Sequence, residues 1–141
     1  MLIRLFSFEI KRELRYANLR ESFFQAVSNS SWANEGYLVA ARIQEDEDFR
    51  EELKRLSTSF GIGVIRIDLK DPDSTEILFP AKYNEYLDWN TINKMAMNAD
   101  FMDFLKRVKT DTQSREIRKE WYDKIHDKEF LIQTFRKTKE I

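Results

Sequence analysis

The order of hydrophobic patterns in the first half of the chain constrains its fold more than any other feature. Residues 1–11 are dense in branched and aromatic side chains, and two further runs typical of strands follow at 37–43 and 61–69. Between these runs, apolar residues recur at helical spacing in 19–31 and in 49–56. This alternation predicts parallel strands joined by helical crossovers, and therefore an α/β fold.

The first strand and first helix carry the patterns that matter for function. The strand is expected to be buried on both faces, as strands of parallel sheets are. Asn18 with Glu21 three residues later predicts the start of the helix at about residue 19. One face of that helix is apolar, and the opposite face carries a stripe of larger, mostly polar side chains: Glu21, Gln25, Ser28 and Trp32.

The second half of the chain predicts mainly helices after a turn at 71–74 and a short strand at 76–79. The spacing of Ile117, Trp121 and Ile125 predicts one charged helix over about 114–137, with Trp121 buried and Trp32 more accessible. We therefore expect an α/β domain over 1–109 and a charged helical C-terminal extension over 110–141.

Composition excludes several chemistries. The chain has no cysteine, which excludes disulfides and a thiolate nucleophile, and His126 is its only histidine. A metal would therefore need oxygen ligands, so the candidate cofactors are Mg²⁺ or Mn²⁺, or none in this chain. No apolar run approaches the roughly 18 residues of a membrane helix. We expect a cytoplasmic protein without a membrane partner.

Charge is unevenly distributed along the sequence. Residues 1–20 carry five basic and two acidic side chains, whereas 21–105 carry 8 basic and 16 acidic ones. The ends of the chain could face a polyanion, which makes DNA a candidate partner. The near-terminal candidates for nucleic-acid binding are Lys11, Arg12, Arg15 and Arg20. The alternative is that these are ordinary solvated faces.

Glu9 and Lys11 form an E-x-K pair at the end of the first strand. Residues two apart on a strand point to the same side, so a carboxylate and an ammonium can converge there. Phosphodiester hydrolysis uses that pairing, with Glu9 holding a divalent cation and Lys11 stabilising the developing charge. The alternative is that both side chains are solvated where the strand leaves the sheet.

Gln25 and the segment after it are further candidates. Gln25 could orient a water or contact phosphate if the helix stands beside the strand; otherwise its stripe faces solvent. Ser28, Asn29 and Trp32 could grip a phosphate or stack a base. The alternative for this segment is that its Asn and Ser side chains satisfy the free carbonyls at the end of the helix.

Four stretches of the chain resemble a known family: FSFEIK, NLRESFFQAVSNSSWANEGYLVA, SFGIGVIRID and EILFPA. They resemble the C-terminal region of bacterial HrgA-type proteins, which are found near restriction–modification loci. That region is itself similar to the PD-(D/E)xK nuclease superfamily, and the resemblance covers about residues 4–109. It implies a partial restriction-endonuclease-like sheet with Glu9, Lys11 and Gln25 as catalytic residues and Glu9 as the metal ligand.

The resemblance also implies a second acidic residue on a strand before the E-x-K strand. Only eight residues precede Glu9 and none is acidic, so either an N-terminal domain is missing or the site has been lost. We expect this chain to be inactive alone. A non-catalytic DNA-binding or dimerisation module is the alternative. Because the first strand lacks an earlier neighbour, we also expect a homo-oligomer, formed through the sheet edge or the C-terminal helices.

Overall fold

The computed structural model describes residues 3–137 of the chain. Its four strands lie in the first 80 residues: β1 (Phe6–Leu14), β2 (Glu35–Ile43), β3 (Gly63–Arg66) and β4 (Glu76–Phe79). Its helices alternate with these strands and then follow them: α1 (Tyr16–Asn29), α2 (Glu47–Phe60), α3 (Trp89–Met95), α4 (Ala99–Ser114) and α5 (Lys128–Lys137). Short 3-10 turns lie at Pro72–Ser74 and Lys119–Trp121.

The strands form one mixed sheet in the order β1-β2-β3-β4. The first three are parallel, and β4 runs antiparallel to β3. α1 connects β1 to β2, and α2 connects β2 to β3, so the predicted α/β fold with helical crossovers is confirmed. A helical C-terminal region follows, as expected.

Both crossover helices pack on the same face of the sheet. The core between them is apolar and fully buried at its centre, and its largest side chains are Phe23, Phe49, Leu14, Leu38, Leu53 and Val64. Leu38 of β2 lies beside Glu9 of β1 in the sheet register. Glu9 therefore points to the face that α1 and α2 cover, since paired residues on neighbouring strands share a face.

Side-chain and backbone caps define where α1 begins and where α2 begins and ends. α1 begins at Tyr16, three residues before the predicted start. Asn18 does not precede the helix but lies in its first turn, where its side-chain oxygen accepts from the backbone N–H of Arg15 at 2.8 Å. α2 begins after Asp46, which accepts from the N–H of Phe49 at 2.9 Å. The helix ends at Phe60, and Gly61 follows it in the left-handed conformation with φ 72°.

The prediction that the first strand is buried on both faces is wrong. The strand begins at Phe6, and its second face is open: Phe6, Phe8 and Ile10 are 42%, 54% and 73% exposed. The sequence predicted burial of both faces because apolar residues occur at both odd and even positions of this run, and alternate residues of a strand point to opposite faces. α1 and α2 both cover the other face, because successive right-handed crossovers along one sheet direction place their helices on the same side.

The predicted helix over 114–137 is wrong for residues 115–127, and only α5 at Lys128–Lys137 is helical. α4 ends at Ser114, and a segment that is irregular except for the 3-10 turn at Lys119–Trp121 leads to α5. Ile117 and Ile125 are 63% and 95% exposed, and Trp121 is 37% exposed rather than buried. The segment is held by the buried carboxylate of Asp111, which accepts from the guanidinium of Arg118 at 2.7 Å and from the hydroxyl of Tyr122 at 2.8 Å. Polar contacts outweigh the helical periodicity here.

The described residues contain no helix that is long and apolar enough to cross a membrane.

Candidate functional site

Glu9 and Lys11 stand side by side on β1, on the face that α1 covers. The Lys11 ammonium lies 3.3 Å from Glu9 Oε1, and the side chains of Lys11 and Glu9 are 28% and 21% exposed. Partial burial matters because it reduces the screening of this ion pair by water. The pair is therefore ordered by its surroundings but still reachable from solvent.

α1 supplies one partner to each of these side chains. Gln25 Oε1 accepts from Lys11 Nζ at 2.5 Å, and Asn29 Nδ2 donates to Glu9 Oε2 at 3.0 Å. Gln25 and Asn29 are four residues apart, so they lie one helical turn apart on the same side of α1. The four side chains of Glu9, Lys11, Gln25 and Asn29 form one connected group, which we call the Glu9 cluster.

One further hydrogen bond fixes the end of α1 above β1, and a second, local one caps the helix end. The backbone carbonyl of Asn29 accepts from the hydroxyl of Ser7 at 3.1 Å and from the indole N–H of Trp32 at 2.6 Å. A carbonyl in the last turn of a helix has no intrahelical donor, so these side chains satisfy it. The rotation of α1 that points Gln25 and Asn29 at β1 is held by this anchor.

The segment after α1 combines the two roles that its sequence left open. The hydroxyl of Ser30 donates to the carbonyl of Val27 at 3.2 Å, as expected for side chains that satisfy free carbonyls. The indole N–H of Trp32 donates to the carbonyl of Asn29 in the same way. The Trp32 ring packs edge to face with Phe101, with ring centroids 6.2 Å apart. The Asn29 side chain, in contrast, reaches Glu9. Ser28 is exposed and lies outside the Glu9 cluster.

The arginines predicted to bind nucleic acid do not join the Glu9 cluster. Arg12 is exposed and alternates with Lys11 along β1, so it points to the open face of the sheet. Arg15 forms an ion pair with Glu13 at 3.0 Å at the end of β1. Arg20 is exposed on α1. The basic residues near the N-terminus are thus distributed over several surfaces rather than gathered at one.

The donor atoms of the Glu9 cluster fit half of a magnesium site. Glu9 contributes one carboxylate of the kind that Mg²⁺ prefers, whereas the amide oxygen of Gln25 accepts from Lys11 and Asn29 presents its N–H to Glu9. Magnesium in phosphoryl-transfer sites is usually held by one or two carboxylates, with waters and substrate phosphates completing the octahedron. Within residues 3–137, no group of three or more His, Asp or Glu side chains is arranged to hold a metal ion.

Sequence reasoning missed Ser7 as a contributor to the site and gave Asn29 a different role from the one it has in the structure. Ser7 is buried and anchors α1, and its position two residues before Glu9 on the same face of β1 was the signal that could have found it. Asn29 was expected to contact a nucleic acid, but in the structure its amide orients the Glu9 carboxylate. The signal for that role was its four-residue spacing from Gln25.

Comparison of the chain with protein-family models, with curated proteins and with solved structures found no match.

Proposed function

We propose that this chain is a nucleic-acid-processing domain of the restriction-endonuclease-like class, in which the Glu9 cluster is the phosphodiester site. The observation that carries the proposal is the convergence of Glu9, Lys11 and Gln25, with the Lys11 ammonium 3.3 Å from Glu9 and 2.5 Å from Gln25. These residues come from two elements and meet at one place. The sequence resemblance to HrgA-type proteins and to PD-(D/E)xK nucleases supports the same assignment.

Each residue of the cluster has a distinct role in this proposal. Glu9 would hold a divalent cation, which supplies Lewis-acid activation of water when it is bound. Lys11 pairs with the phosphate and stabilises the negative charge that develops on it. Gln25 accepts from Lys11 and so fixes the direction of the ammonium, while Asn29 donates to Glu9 and leaves the other oxygen of that carboxylate facing Lys11.

The proposal includes the expectation that the chain does not cleave DNA alone. A single carboxylate gives a divalent cation too few protein ligands for hydrolysis. Binding of nucleic acid does not require the second carboxylate, so we expect the isolated chain to bind DNA without cleaving it.

Fluorescence anisotropy of a labelled DNA duplex, measured over a series of salt concentrations, tests the binding. Replacing Lys11 by Met should weaken binding and reduce the salt slope by about 1, as expected for one lost phosphate contact. Lys54→Met is the matched control, because Lys54 is an exposed lysine of α2. Equal effects of the two substitutions, or no salt-dependent binding by the wild type, would contradict the proposal.

A plasmid-cleavage assay with Mg²⁺ or Mn²⁺ tests the expected inactivity. Cleavage by the wild type that disappears in Glu9→Gln would contradict the expected inactivity and show that a second carboxylate, from this chain or from a second copy, completes the site.

The second candidate function is a non-catalytic interaction module. The exposed aromatic residues on the open face of β1 favour it, since Phe6 and Phe8 are 42% and 54% exposed. Self-association without any affinity for DNA would support this second candidate over the first.

A further inference from the structure

β1 lies at the edge of the sheet. In the part of the chain that the structure describes, its nine residues pair with β2 alone, so the outer edge of β1 is not paired with another strand. An edge strand presents backbone N–H and C=O groups that can pair with a further strand. Of the usual protections, β1 lacks short length and proline, and it has charged side chains at Glu9, Lys11, Arg12 and Glu13.

The same strand carries an apolar surface on its open face. Phe6, Phe8 and Ile10 are exposed at successive same-face positions. The rings of Phe6 and Phe8 stack at 6.4 Å, and Phe8 stacks on Tyr37 of β2 at 6.0 Å. Large exposed apolar side chains next to an unpaired strand edge are a combination typical of association surfaces.

The order of charges along β1 selects one kind of partner. Ile10 has an acidic residue, Glu9, directly before it and a basic residue, Lys11, directly after it. When two copies of this strand run antiparallel with Ile10 facing Ile10, Glu9 of each copy faces Lys11 of the other. Centring the pair on Glu9 or on Lys11 instead places like charges opposite each other, which destabilises a strand pair.

We propose that the partner at this edge is a second copy of the chain, paired through antiparallel β1 strands about Ile10. The two-fold axis is perpendicular to the sheet, so α1 of both copies lies on one face and the aromatic residues of both copies join on the other. Phe8 then faces Arg12 of the second copy, an arrangement that favours a cation–π contact. The two four-stranded sheets become one continuous sheet.

This pairing also changes the Glu9 cluster, in a step that rests on the proposed function. The two Glu9 residues become diagonal neighbours across the new strand pair, with Cβ atoms about 7–8 Å apart. Side chains as long as glutamate can converge from that distance on one divalent cation, which would displace the Lys11 ammonium groups from the two carboxylates. A second copy would thus supply the second carboxylate that one chain does not bring to the cluster, and the inactivity expected above applies to the single chain.

Light scattering at a low and a high protein concentration, without DNA or metal, tests the pairing. The wild type should have twice the chain mass of 17.0 kDa. Glu9→Lys and Lys11→Glu should each weaken association at least about tenfold, since each puts like charges opposite one another at two symmetric places. The double variant that exchanges the two charges should restore the dimer.

The double variant is the matched control for folding. It contains both substitutions, yet it again places opposite charges across the strand pair. Ile10→Lys should also give a monomer, and circular dichroism should show wild-type secondary structure in all variants. A wild type that stays monomeric at the high concentration would refute the pairing. A dimer that both single variants leave unchanged would also refute it, and would place the contact elsewhere.

The shared cation is tested separately by titrating Mn²⁺ into the wild type and into the monomeric Ile10→Lys variant. Tighter binding by the wild-type dimer is expected, because only the dimer brings two Glu9 residues together. Equal binding by the two would refute the shared site while leaving the pairing result intact. Failure of the proposed nuclease function is therefore distinguishable from failure of the pairing.

Discussion

The helix that carries Gln25 and Asn29 is held on the sheet by Phe23, and removal of this side chain should be costly. Phe23 is fully buried, whereas its neighbour Phe24 is 41% exposed. Both rings pack against Phe60, with ring centroids at 6.0 Å for Phe23 and 5.1 Å for Phe24. The two residues therefore differ in burial while sharing residue type, helix and aromatic partner.

The expected decreases in unfolding free energy follow from that difference. Phe23→Ala leaves a cavity in a closed core, for which decreases of about 3–5 kcal/mol are typical. Phe24→Ala removes a side chain that is only partly buried, and water can fill the space that it leaves. The expected decrease in unfolding free energy is therefore only the transfer free energy of the buried part, about 1–2 kcal/mol. Each variant removes one ring that packs against Phe60, so this aromatic term is similar in both and cancels in the comparison.

Urea denaturation followed by circular dichroism measures the two decreases. The two decreases differ by about 2–3 kcal/mol at mid-range, so with a slope of about 2 kcal/mol/M the unfolding midpoint of Phe23→Ala should lie about 1 M below that of Phe24→Ala. Equal midpoints, or a lower midpoint for Phe24→Ala, would refute the orientation of α1 on the sheet. Either result would also remove the structural basis for placing Gln25 next to Lys11, because the two residues meet only in this orientation.

Three further outcomes are expected. Gly61→Ala should destabilise the fold by about 1 kcal/mol in thermal or urea unfolding, since Gly61 has φ 72° and ends α2; an unchanged stability would contradict the left-handed cap. The hydrogen bond from the Phe49 N–H, and to a smaller extent that from Gln44, lowers the pKa of Asp46 below the ordinary value of 3.8, so its contribution to stability is complete above that pH and is lost as the pH falls through the lowered pKa. Asp46→Asn, which can still accept at the helix start, should lose that part of the acid dependence but keep the cap, and an unchanged acid profile would count against it. Asp111→Asn should loosen the segment over 115–122, because the carboxylate accepts from Arg118 and Tyr122, and faster amide hydrogen exchange confined to that segment would be the sign; uniform exchange across the sheet would speak against a local role.

Local sequence patterns determined the element types of the first 80 residues. Apolar residues with helical spacing placed Phe49, Leu53 and Leu56 in the core, and all three are buried. Period-two alternation placed Glu9 and Lys11 on one side of β1, where they form an ion pair. These features depend on neighbours within a few residues, so the sequence contains the information directly.

Patterns failed where the outcome depended on what covers a surface. The apolar residues of β1 at both parities predicted two buried faces, yet Phe8 and Ile10 are 54% and 73% exposed. An apolar side chain is stabilised by burial, but its hydrophobicity does not determine which element of the fold will cover it. In the C-terminal region, the helical spacing of Ile117, Trp121 and Ile125 was overridden by the hydrogen bonds of Asp111 to residues beyond the end of α4.

The Glu9 cluster shows both kinds of determination in one place. The sequence by itself determined that Glu9 and Lys11 share a face, and that Gln25 and Asn29 lie one turn apart on a helix. Only the tertiary structure decided that these two pairs meet, because that depends on the rotation and position of α1 above β1. Ser7 helps to set that position by donating to the carbonyl of Asn29, and this bond joins segments 22 residues apart, which no local periodicity encodes.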